Sequence, residues 1–155
     1  ILTGLNEMNL GDHARIFREL FNQEILDNIS HLGFIKKKLW DMQVDLIEEE
    51  SAEFLEAADA VFNNPNDMTK RLDLIKELSD LVFVCYQFAA TYSIDLDEAM
   101  FRVFESNLSK LDEHGKAIYR EDGKVLKGPD YRPPDLTDCV PNPNTFQNNA
   151  NQQSA

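Results

Sequence analysis

From about Asp12 to about Leu111 apolar residues return every three or four positions, the spacing of amphipathic helices rather than strands. A first helix is predicted from Asp12, as its N-cap, to Ile29, with Ile16, Leu20 and Phe21 on its apolar side. "SHLG" at 30–33 interrupts it. A second helix runs from Phe34 to Phe62 and stops at "NNPND", 63–67, where Asn and Pro favour a turn. A third spans Thr69–Tyr92, and apolar residues on all its sides between Leu81 and Ala90 predict a central, buried element. The fourth starts at "DLDE", 95–98, where Asp95 and Glu98 have capping-box spacing, and ends near Leu111.

The pattern then changes. Residues 114–136 carry Gly115, Gly123, Gly128 and three prolines around a central Asp-Gly, which predicts a short hairpin plus an ordered loop. From Thr137 the chain is Asn/Gln-rich with little to bury, and a disordered or peripherally docked tail is expected over 137–155. The fold class is therefore all-α: a helical bundle of four to five helices with a short C-terminal hairpin or loop, as one domain over 1–136.

Charge narrows the function. At −13, the 155-residue chain repels nucleic acid, so no nucleic-acid partner is expected. The longest apolar run, residues 81–92, is too short to span a bilayer, so no membrane partner is expected. No signal-peptide pattern is seen, and Cys85 and Cys139 fit neither a metal-ligand spacing nor a disulfide framework; both point to a cytoplasmic setting.

Against this background the stretch "DLIEEESAEFLEA", 45–57, is out of place. With Leu39 at zero on a helical wheel, Leu46, Ala57, Val61 and Phe54 fall at about 340°, 0°, 40° and 60°. Glu50 falls at about 20° and Glu53 at about 320°, inside that apolar arc, whereas Glu48 points away and Glu49 and Glu56 lie at its margin. The third helix repeats the arrangement with Glu77 and Asp80, again three apart. A buried ionised carboxylate has to be paired, bind a metal or take up a proton. Lys76 and Arg71 could each reach one acid, too few for four. Hard divalent cations with oxygen ligands balance the rest, and two Mg²⁺ would cancel all four charges.

"EEESAE" followed by "KELSD" resembles the E-x-x-E…E-x-x-D signature of the all-α nucleoside triphosphate pyrophosphatases, the superfamily of MazG-like proteins, dimeric dUTPases and phosphoribosyl-ATP pyrophosphatases. Glu50 and Glu53 match the first pair, Glu77 and Asp80 the second, with 23 residues between the pairs. The block 106–136 is similar to phage and bacterial members of the phosphoribosyl-ATP pyrophosphatase-like branch. The resemblance implies Mg²⁺ or Mn²⁺ held by Glu50, Glu53, Glu77 and Asp80. It implies cleavage of a nucleoside triphosphate between its α and β phosphates and a homodimer or homotetramer. Glu49 is a candidate to orient the attacking water together with Glu50, and a solvated neighbour is the competing reading of Glu49.

Six of the fifteen basic residues lie between Lys110 and Arg132. Lys110, Arg120 and Lys127 are the candidate phosphate contacts, with Asn107 for the metal shell or the sugar; a charged hairpin surface explains the same residues without a ligand. Trp40, at the edge of the apolar arc, either stacks a base or packs in the core. A ferritin-like di-iron bundle is disfavoured because no Glu-x-x-His lies on the helices. Two other readings stay open: phosphoribosyl-ATP pyrophosphatase, and a non-catalytic helical module. Among triphosphates, a purine such as dGTP or GTP is the leading expectation, from viral relatives.

Overall fold

The computed structural model describes residues 8–26 and 34–141. The expected break at 30–33 and the tail beyond 141 lie outside them. The chain is all-α: α1 (Leu10–Leu20), α2 (Phe34–Asn63), α3 (Met68–Thr91) and α4 (Leu96–Leu108), then a 3₁₀ turn at Thr137–Cys139. It divides into two compact units, one containing α1–α3 and the other spanning Asp95–Val140. None of the described helices is long and apolar enough to cross a membrane.

In the first unit α1 differs from expectation at both ends. Its N-cap is Asn9, whose side chain accepts the amide of Asp12 at 2.8 Å, so Asp12 sits in the first turn, where a carboxylate meets the positive end of the helix dipole. It stops at Leu20 rather than Ile29. Asn22 takes a left-handed φ of 52°, and the amides of Asn22 and Gln23 return to the carbonyls of Glu19 and Arg18, a Schellman closure for which Asn is a suitable residue.

A turn closes α2 against α3. Asp67 caps α3 by accepting the amides of Thr69 and Lys70, while Arg71 donates to the Pro65 carbonyl at 2.6 Å. Arg71 thus serves the turn, not an inward carboxylate. Small residues at Ala57, Ala89 and Ala14 are buried where the helices approach. Trp40 packs edge-on against Phe88 with centroids 5.1 Å apart, and Tyr92 completes that aromatic group. Between Leu81 and Ala90 the third helix is not buried on all sides: Val82 and Phe83 remain exposed, because α1 and α2 cover only part of its circumference.

A polar layer joins the three helices. Buried Arg18 donates Nε and Nη2 to the Glu24 carbonyl at 3.0 and 2.7 Å and Nη1 to Gln87 Oε1. Gln87 in turn donates to the Ala14 carbonyl, and Thr91 donates to the Gln87 carbonyl and to Gln43 Oε1. Burial lowers the pKa of the guanidinium, partly opposed by Tyr92.

In the second unit Asp95 caps α4 by accepting the Glu98 amide at 3.0 Å. Residues 132–139 return along the helix: Ser106 donates to the Arg132 carbonyl, Arg102 to that of Asp135, and the Asp95 amide to that of Cys139. The beginning of the expected tail is thus folded as far as the buried Cys139. The expected hairpin is present as a single antiparallel bridge, Tyr119–Val125, turning at Gly123 with φ 83°. Gly128 lies so close to Lys110 and Leu111 that a Cβ would collide with the Leu111 carbonyl oxygen.

Arg18→Ala is expected to lower the unfolding free energy by about 2–4 kcal/mol, since it strands the Glu24 carbonyl and Gln87 and leaves a void. Urea denaturation measures this directly; an unchanged midpoint would show that the layer is not stabilising.

Candidate metal centre

The α2–α3 pairing brings together acids that the chain separates. Glu50 and Glu53 lie about one turn apart on α2, as do Glu77 and Asp80 on α3. Glu50, Glu53 and Glu77 each present a carboxylate oxygen, and these oxygens all lie within 4.8 Å of one another. Glu77 is buried, Glu50 half-buried and Glu53 exposed. Asp80 does not share this close trio. It joins through Lys76, whose Nζ donates to Oε1 and Oε2 of Glu77 at 2.9 and 3.0 Å and pairs with Asp80 Oδ2 at 2.9 Å.

The electrostatics follow from crowding. Burial, then the charges of Asp80 and Glu77, hold the Glu50 carboxyl above its ordinary value, with Lys76 opposing. Its Oε2 is buried and has no hydrogen-bond partner among the described residues. A hydrogen bond to Glu77, then Glu77's charge, raises Glu53. The hydrogen bonds of Glu77 and Asp80 push the Lys76 ammonium upward. Close carboxylates with too little positive charge are a poor resting arrangement for protein alone and a good one for a divalent cation, whose ligands are hard oxygens.

The other expected site residues are placed as follows. Glu49 is exposed and lines a groove along α2 with Asp41, Asp45, Lys37 and Lys38. Trp40 lies in the aromatic group described above. In the second unit Lys110 donates to Asn107 Oδ1 at 2.6 Å, so these two side chains meet. Arg120 pairs with Asp122, and the Lys127 ammonium lies 4.2 Å from the centre of the Tyr131 ring.

The buried polar residues Arg18, Gln43 and Gln87 lie outside the candidate residues that the sequence pattern marks. Gln43 had a legible signal, since it falls at about 40° on the wheel that places Glu50. Arg18 and Gln87 depend on contacts between helices and carried none.

A family model described as phosphoribosyl-ATP pyrophosphohydrolase matches residues 14–107, a span of more than half of the chain within which the four acids lie. No curated protein matches the chain.

Raised values at Glu50 and Glu53 set the sign of a pH dependence. A carboxyl whose folded value lies above its unfolded value, about 4.3 for Glu, adds stability below the unfolded value and loses it as pH rises through the folded one. With metal chelated, Glu50→Gln is therefore expected to melt above the parent at pH 7, the gap closing as pH falls toward about 4. Melting curves across that range test it; a variant less stable than the parent at pH 7 would contradict the crowding.

Proposed function

The chain belongs to the phosphoribosyl-ATP pyrophosphohydrolase family and is a pyrophosphohydrolase acting on phosphoric anhydride bonds, and from that premise we propose that it hydrolyses a nucleoside triphosphate, with Mg²⁺ or Mn²⁺, to the monophosphate and pyrophosphate. The observation that carries the metal reading is the trio Glu50, Glu53 and Glu77, with oxygens within 4.8 Å and two carboxyls held above their ordinary values.

Glu50, Glu53, Glu77 and Asp80 would hold the ions; these oxygen donors suit hard cations. Bound there, a divalent cation would offset charge on the phosphates and lower the pKa of water. Glu49, exposed and next to Glu50 in the chain, would orient the attacking water and accept its proton. The water oxygen forms a new bond to phosphorus as the α–β bridging bond breaks, and the electron pair leaves with pyrophosphate. Lys110, Arg120 and Lys127 are proposed as phosphate contacts and Asn107 as a contact to the sugar or metal shell. Their support is the concentration of basic side chains in an otherwise acidic chain.

A purine deoxynucleotide such as dGTP is the proposed preference, with phosphoribosyl-ATP as the second reading because it names the matching family. We also propose a homodimer or homotetramer. Exposed Leu72, Ile75, Leu78 and Val82 form an apolar strip on α3 of the kind that marks a protein interface.

Turnover of a panel of nucleoside triphosphates and phosphoribosyl-ATP, followed by chromatography and phosphorus NMR, separates these substrates. Equal amounts of monophosphate and pyrophosphate are expected, with activity abolished by EDTA and restored by Mg²⁺ or Mn²⁺. Glu53→Gln should lose several orders of magnitude in rate. Release of orthophosphate alone, or full activity in that variant, would overturn the reading. Leu72→Lys is expected to shift the protein toward monomer in light scattering; an unchanged mass would place the contact elsewhere.

A further inference from the structure

Lys76 is one of two lysines on α3, the other being Lys70 in its first turn. The Lys76 ammonium donates to both oxygens of Glu77 and reaches Asp80 as well, so one cation lies on two of the four acids. The two partners are anchored differently. The Glu77 side chain is only 10% exposed, whereas that of Lys76 is 60% exposed. Removing positive charge from Glu77 would leave a largely desolvated anion, while releasing Lys76 returns a strongly hydrated ammonium to water. The carboxylate is thus fixed and the cation is displaceable.

We propose that Lys76 is an intramolecular competitor of the divalent cation: its ammonium balances Glu77 and Asp80, and metal binding must displace it from those oxygens. This inference rests on the metal-centre reading above. An ammonium within hydrogen-bond distance of both acids occupies carboxylate lone pairs that a cation would need, and like charges cannot share them closely. Lys76 therefore sets the concentration of divalent cation at which the centre fills. It also limits the repulsion between the acids of α2 and α3 below that concentration. Lys76 is a positioning residue here, acting through Glu77 and Asp80.

The test is Mn²⁺ titration of the full chain without nucleotide, at constant ionic strength, read by the electron paramagnetic resonance of free Mn²⁺. Lys76→Met, which keeps length and removes charge, is expected to bind Mn²⁺ tighter than the parent by up to about fivefold, the scale of a solvent-exposed ion pair. Lys76→Arg should stay close to the parent. Melting supplies a second readout: Lys76→Met should melt below the parent in EDTA, and the deficit should vanish or reverse in saturating Mn²⁺. A lysine with only a packing role would lower melting equally in both. If the parent binds Mn²⁺ through the acids, as shown by loss of binding in Glu53→Gln, and Lys76→Met binds no tighter, the competition is refuted while the metal centre stands. If the parent binds no Mn²⁺, or Glu53→Gln binds it equally, the metal centre falls and the inference with it.

Discussion

A carboxylate removed from water has to be paired, bind a metal or take up a proton, and that constraint governs the α2–α3 pair. Glu50, Glu53 and Glu77 converge where two long helices meet, and Lys76 supplies the neighbouring cation. One ammonium cannot balance four acids: burial and then the charges of Asp80 and Glu77 hold Glu50 above its ordinary value, a hydrogen bond to Glu77 and its charge raise Glu53, and Glu50 keeps a buried oxygen without a partner among the described residues. A fold selected only for stability would replace such a group with apolar side chains, because burying imperfectly paired charge gains little. Here the crowding is retained, as the proposed role of these acids in holding a cation would require.

Rigid support makes that crowding sustainable. Small residues such as Ala57 and Ala89 let the helices approach, and the capped turn at Asp67 fixes how α3 begins. At the other end of α3, Arg18, Gln87, Thr91 and Gln43 tie α1, α3 and α2 through directional hydrogen bonds. A polar layer of this kind specifies register more sharply than apolar contacts alone, because a slip would leave several buried groups unpaired. The helices that carry the acids are therefore held by packing and, toward the C-terminal end of α3, by hydrogen bonds as well.

The second unit uses different means. Local turn chemistry shapes it: Asp112 accepts the amides of His114 and Lys116, Gly123 supplies a positive φ, and Gly128 permits a close approach to Lys110 and Leu111. Its basic residues are partly engaged within the segment, Arg120 with Asp122 and Lys127 over Tyr131, which reduces the number of free charges that composition alone suggests.

By itself the sequence determined the helical class, the turn at 63–67, the Asp95 cap, the hairpin around Gly123 and the acidic pairs. These all follow from local periodicity or from the conformational preference of a few residues. It misplaced the end of α1, because the left-handed preference of Asn22 competed with an apolar periodicity that continues past it. Only the tertiary structure decided which acids meet. Wheel positions put Glu50, Glu53, Glu77 and Asp80 on two faces, but the rotation of α2 against α3 makes Glu50, Glu53 and Glu77 the close trio and leaves Asp80 joined through Lys76. The same holds for Arg18 and Gln87, 69 residues apart, whose burial becomes tolerable only when folding brings their hydrogen-bonding groups together. Periodicity reports the face a residue occupies. The partner it meets depends on contacts between distant segments, which no local pattern records.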